Sequence, residues 1–282
     1  MGQVRRFWQA ALAASFMLPV QQAAAADVWA VGGPGEEQGL RLRGPILSGD
    51  DKHFATAIEQ IEATSSRVTA VALDSPGGVL GAAAAIAGQI HAHGITTVVE
   101  NGAICASACV LLFAAGQARV AGPTAMIGVH GAADEHGTQT APALVATAAI
   151  AQRYAEYGVP LSVIRRMATT QPGVIAWLTA AEVEEFPNTV ISATHGDDFI
   201  SAASGLPPRP QAAPADAQDD WVAGFRYGVA HPESGCVLDT RAVRDVQLAT
   251  TGCEAGERSV RAVSGSDPTP ALPHVFRGPH GE

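Results

Sequence analysis

Ser107 and His130 are the residues of this chain whose types and settings suit nucleophilic catalysis. Ser107 lies in Gly102-Ala103-Ile104-Cys105-Ala106-Ser107-Ala108-Cys109, between an extended run and a helical one. A serine at a strand-to-helix turn presents its hydroxyl at a helix N-terminus, where the local field favours an oxyanion. The small neighbours Ala106 and Ala108 leave room for a substrate. His130 follows the β-rich run Met126-Ile127-Gly128-Val129, and a neutral imidazole near Ser107 could take its proton. Upstream, Ser75-Pro76-Gly77-Gly78 ends a strand and opens a helix. Glycines there allow close backbone approach and leave N–H groups free to stabilise an oxyanion. Each piece alone has a plainer reading: Pro-Gly-Gly as a turn, Ser107 as a small packing residue, His130 as a structural histidine, with His136 as the rival base.

The elements that must position these residues follow from the apolar pattern. Residues 40–46 alternate and read as a strand, and Phe54, Ile58 and Ile61 recur at helical spacing over 51–63. Residues 68–73 form a short apolar strand, Val79, Ala83, Ile86 and Ile90 mark a second helix, and 96–99 is the next strand. Residues 106–115 read as a buried helix, 119–129 as extended, and 142–157 and 161–168 as two further helices. Alternating strands and helices with short connections predict an α/β fold built on a mostly parallel sheet. Residues 27–39 read as a loose lead-in.

The two ends differ from this body. Arg5 and Arg6, a mostly apolar run over 7–20 and the cluster Ala23-Ala24-Ala25-Ala26 have the order of a secretory signal peptide. The expected division is a signal peptide over 1–26, a globular domain over 27–201, a Pro/Ala-rich linker over 202–218, a small cysteine-containing module over 219–262 and a disordered tail over 263–282. The mature protein is therefore expected in the periplasm or outside the cell. Asp and Glu number 27 against 17 Lys and Arg, and no basic run occurs, which argues against a nucleic-acid partner.

The chain has 4 cysteines. Cys236 and Cys253 are expected to form a disulfide, because a small module needs a staple. Cys105 and Cys109 could be bonded or could be two buried thiols, since a regular helix points such side chains poorly for a bond. A zinc site there would need two more ligands. No cofactor and no metal is expected.

Taken together, Asp74-Ser75-Pro76-Gly77-Gly78, the small-residue turn at Ser107 and Ile127-Gly128-Val129-His130 resemble the proteolytic subunit of Clp protease, within the Clp/crotonase superfamily. Trp177-Leu178-Thr179-Ala180-Ala181-Glu182 resembles a further segment of that family, so the likeness runs over about residues 40–191. The Cys-Ala-Ser-Ala-Cys version, with an export signal, resembles a periplasmic Clp-like branch. The resemblance implies a repeated β-β-α superhelical fold. It also implies Ser107 as nucleophile, His130 as general base, and the N–H groups of Gly78 and Ala108 as oxyanion hole. It implies a peptide or protein substrate and assembly of like subunits, with the helix after His130 as a contact. No ATPase partner is implied outside the cytoplasm.

The sequence departs from the family at the third triad member. Ile175 occupies the position of the family's aspartate, and no carboxylate occurs from Met167 to Trp177. A dyad could suffice, a backbone carbonyl could orient His130, Asp134, Glu135 or Glu182 could substitute, or the site could be weak or inactive. The readings are thus an exported serine peptidase or, alternatively, a Clp-like protein that binds peptides without cleaving them. An acyl-CoA enzyme is disfavoured by export. A Ser–Lys dyad is disfavoured because Lys52, the only lysine, precedes the whole unit.

Overall fold

Val68, Val71 and Leu73 face one way and Ala70 and Ala72 the other, and all are buried, so this stretch can only be a central strand covered on both faces. The computed structural model describes residues 25–32, 37–195, 198–204, 217–238 and 243–264. In chain order the elements are β1 (Asp27–Val31), β2 (Glu37–Arg43), α1 (Asp50–Glu62), β3 (Arg67–Asp74), α2 (Leu80–Ala92), β4 (Thr96–Val99), β5 (Ile104–Ala106) and α3 (Ala108–Ala115). There follow β6 (Arg119–Ala121), β7 (Met126–Val129), α4 (Ala141–Glu156), α5 (Leu161–Thr169), β8 (Ala176–Trp177), α6 (Ala180–Glu184) and β9 (Thr189–Ile191). The last are α7 (Asp198–Ser204), α8 (Ala217–Ala230) and α9 (Val246–Ser264).

One sheet runs β1-β2-β3-β4-β6-β9 and is parallel except for β1, which pairs antiparallel with β2. The smaller sheet runs β5-β7-β8, with β5 parallel to β7 in the register Cys105 to Ile127 and Ala106 to Gly128. The α/β class with a mostly parallel sheet is as the pattern predicts. The lead-in is corrected: residues 27–31 form β1, whose pairing with β2 was hidden by the glycine- and glutamate-rich stretch between them. The helix expected from residue 106 begins at Ala108, because residues 104–106 are taken into the small sheet.

α3 carries no polar residue and all eight of its residues are buried, as expected of a helix apolar all round. It is the packed centre against which the Ser107 turn is set. α4 is capped by Thr140, whose hydroxyl accepts from the Ala143 N–H, with proline in the first turn. It buries Ala143, Leu144, Thr147, Ala148, Ala151 and Tyr154 on one face.

Two helices, α8 and α9, make up the stapled C-terminal region and pack on each other, and α8 also lies on α4. A Cβ on Gly228 would come within 2.0 Å of the Cys253 carbonyl oxygen, so the helices can meet this closely only at small residues. Trp221, Val222 and Phe225 belong to the same buried cluster as α3 and α4. Of the regions expected from sequence to be signal peptide, linker and tail, residues 1–24, 205–216 and 265–282 lie outside the described residues. Among the described residues no helix is long and apolar enough to cross a membrane.

Candidate active site

Ser107 sits between β5 and α3 with φ 56° and ψ −125°, a region that a side chain rarely occupies. The turn is held on both sides. The Ser107 N–H donates to the Gly128 carbonyl at 2.8 Å, and the Ala106 N–H donates to the Ser75 carbonyl at 3.0 Å. A disulfide between Cys105 and Cys109 spans the turn, with Cα atoms 5.2 Å apart and both residues fully buried. The objection drawn from helix geometry disappears, because Cys105 lies on a strand and Cys109 on a helix.

The loop after β3 is pressed onto this turn. A Cβ on Gly77 would stand 2.6 Å from the Ala106 oxygen and 2.8 Å from the Ala108 nitrogen, and Gly77 has φ 92°. At Gly78, with φ 148°, a Cβ would stand 2.1 Å from the Ile46 oxygen. Only glycine fits either position. Ile46 donates to Gly77 and accepts from Val79, so the N–H of Gly78 between them points to the opposite side. Neither that N–H nor the N–H of buried Ala108 has a hydrogen-bond acceptor among the described residues. An unpartnered N–H at a buried helix start is uncommon, and it is suited to an anionic oxygen.

Gly78, Ser107, Ala108 and His130 line one cavity of about 190 Å³. His130 is half-buried, and its Nδ1 lies 2.6 Å from the Gly131 carbonyl oxygen. A carbonyl only accepts, so Nδ1 carries the proton and Nε2 is left with a lone pair, the form a general base needs. No hydrogen bond joins the Ser107 hydroxyl to His130 among the described residues. Such bonds often form only once substrate is in place.

The other sequence candidates are placed as follows. Ile175 packs over Gly128, where a Cβ would meet its Cγ2 at 2.4 Å, so its role is to cover the strand leading to His130. The Asp134 carboxylate lines the cavity but accepts from the N–H groups of Thr138 and His136, which hold its carboxyl below the usual range. Glu182 closes a capping box with Thr179 and pairs with Arg166. Burial opposes its charge, but those hydrogen bonds outweigh it and keep its carboxyl low. Glu135 and His136 face solvent and approach each other, away from the lining. Lys52 is exposed on α1 and does not line the cavity.

Gly77 and the Gly131 carbonyl were not singled out in sequence. Gly77 stood within the quoted loop, whereas a backbone carbonyl leaves no mark on a sequence. Tyr154, which also lines the cavity, is the one aromatic residue on the buried face of α4.

A larger cavity of about 530 Å³ lies over the ends of β2, β3 and β4, with Trp29 and the Arg41–Glu100 ion pair in its wall. Among the described residues its lining holds no serine, cysteine or histidine.

No family model matches this chain, and no curated protein matches it in sequence. Among solved structures it is similar to the 1510-N membrane-bound stomatin-specific protease, in a mutant form, at 20% identity and TM-score 0.46, over 60% of this chain and 84% of that one. It is also similar to ClpP1 from Listeria monocytogenes, at 16% identity and TM-score 0.45, over 55% of this chain and 91% of that one. The ClpP protease catalytic domain from Plasmodium falciparum is similar at 16% identity and TM-score 0.44, over 56% and 87%. The likeness is one of fold, to Clp-type proteases; no chemistry follows from it.

Proposed function

We propose that this chain is an exported serine peptidase. Ser107 is the nucleophile, His130 the general base and acid, and the N–H groups of Gly78 and Ala108 the oxyanion hole. The observation that carries the reading is one cavity in which a serine in a strained turn, two unpartnered N–H groups and an imidazole with its Nδ1 proton fixed are gathered.

In the acylation step the Ser107 oxygen attacks the carbonyl carbon of a peptide bond while its proton passes to His130 Nε2. The carbonyl oxygen becomes an oxyanion that accepts from the two N–H groups. The C–N bond then breaks, the amine leaves with the proton from Nε2, and an ester remains on Ser107. Water attacks the ester, gives a proton to Nε2 and releases the acid, and the proton returns to Ser107. The Gly131 carbonyl holds the ring but cannot offset the charge on an imidazolium as a carboxylate does. Loss of the carboxylate's role costs about 10⁴-fold in a serine protease, so turnover is expected to be slow.

Export is part of the proposal. It is supported by the order of charged, apolar and alanine residues at the N-terminus and by two disulfides, which persist in oxidising compartments. Assembly into a homo-oligomer, with a peptide or protein as substrate, is proposed on the resemblance.

The test is digestion of an unfolded protein such as reduced casein, with products read by mass spectrometry. Cleavage by the wild type, abolished in Ser107→Ala, is the expected result. Binding of casein peptides without cleavage by either protein would favour the peptide-binding reading, which the backbone carbonyl of Gly131 at His130 Nδ1, in place of a carboxylate, supports.

A further inference from the structure

The cavity runs from half-buried Ser107 and His130 to Tyr154, which is 2% exposed. Much of its remaining wall is apolar: Leu80, Leu111, Ile150 and Met167, with Ala132 beside them. Two polar side chains interrupt it: half-buried Asp134, whose carboxylate accepts from the Thr138 and His136 N–H groups, and the more deeply buried Tyr154. Its hydroxyl has no hydrogen-bond partner among the described residues, and it is not among the polar atoms sealed from all open space. Buried phenols usually find a partner, and one left open in a cavity wall is a partner waiting for a ligand. Burial also pushes the phenol's pKa up, so it stays neutral.

Resting on the peptidase reading, we propose that Tyr154 is the specificity-determining residue of this cavity, and that it selects substrates whose residue on the acyl side of the cleaved bond is glutamine. Leu80, Leu111, Ile150 and Met167 accept a stem of methylenes. The most deeply buried polar side chain of the lining is the neutral phenol of Tyr154, which can both donate to and accept from a side-chain amide. A carboxylate tip would be taken from water with no lysine or arginine in the lining and is rejected. A leucine of comparable bulk would leave the phenol unpartnered, and a site built to hydrogen-bond discriminates against an analogue that lacks the group. A single net hydrogen bond corresponds to about 2- to 10-fold.

The test uses acetyl-Ala-Ala-Gln and acetyl-Ala-Ala-Leu amidocoumarins as substrates. In parallel, Ser107→Ala protein is titrated calorimetrically with acetyl-Ala-Ala-Gln amide and acetyl-Ala-Ala-Leu amide. The wild type should prefer glutamine over leucine in kcat/KM by about 3- to 10-fold, and Tyr154→Phe should bring that ratio close to one. The ratio within each protein cancels any loss of folded material. A wild type that favours leucine, or a glutamine preference that survives Tyr154→Phe, overturns the proposal. The binding arm separates it from the peptidase reading. If the wild type turns over neither substrate, glutamine preference in binding, abolished by Tyr154→Phe, still upholds the role of Tyr154. Absence of that preference in binding as well refutes it.

Discussion

Two disulfides hold two turns in this chain, and each turn contains a non-glycine residue with positive φ. Cys105–Cys109 spans a sequence separation of 4, with the strained Ser107 at φ 56° between the cysteines. Cys236–Cys253 spans a separation of 17, and Cys236 is itself the strained residue at φ 58°. The difference lies in the hydrogen bonds. The N–H of Cys236 is taken by the Ser234 hydroxyl and the Glu257 carboxylate. Beside Ser107 the N–H groups of Gly78 and Ala108 have no acceptor among the described residues, and both residues line a cavity. Strain whose own N–H is doubly accepted closes a helical hairpin. Strain beside open donors is what a reaction centre requires.

The sharpest break between the two regions should come from their own side chains. Ser107→Ala should lower peptide turnover by on the order of 10³-fold or more, measured as kcat/KM, with little change in melting temperature. Cys236→Ala together with Cys253→Ala should leave turnover within about 2-fold.

Next in size is the loop that presses on the Ser107 turn. Gly77→Ala places a methyl group 2.8 Å from the Ala108 nitrogen and 2.6 Å from the Ala106 oxygen. Turnover should fall by about 10²-fold, the usual cost of one lost oxyanion donor. The strained φ should lower stability as well, by about 1–3 kcal/mol.

The disulfides themselves sharpen the contrast. By loop entropy the wider C-terminal bond should contribute about 3 kcal/mol and the short bond about 2 kcal/mol. Replacing each pair with alanine and measuring urea unfolding should rank them in that order. Turnover should rank them in reverse, because only the Cys105–Cys109 pair holds the backbone on both sides of Ser107.

Ile175→Ala should act through packing on Gly128, with a stability loss of about 1 kcal/mol. The smallest effect is expected at exposed His136, where alanine should change stability by less than about 0.5 kcal/mol and turnover hardly at all.

The positions of Ser107, His130 and the Gly77-Gly78 loop were legible because each stands at a boundary between an apolar run and a turn. The helices with clean apolar spacing, such as Phe54-Ile58-Ile61, were legible for the same reason. β1 was not, because its exposed residues and short length leave no alternation, and its pairing with β2 supplies the order. Nor was β5, whose three residues become a strand only through β7 and the Ser75 bridge. The Cys105–Cys109 bond could not be decided while residue 105 was undecided between strand and helix. α8 and α9 were visible only as a cysteine-containing region, since their glycines and threonines weaken the helical signal that packing restores.

The central claim is that Ser107 is activated by His130. A fluorophosphonate probe applied to the folded protein, with the modified peptide identified by mass spectrometry, tests it most directly. The account predicts one adduct, on Ser107, formed at a rate that His130→Ala lowers by at least about 10²-fold and His136→Ala leaves unchanged. An unmodified Ser107 in folded protein, or labelling that survives His130→Ala at the wild-type rate, would contradict it.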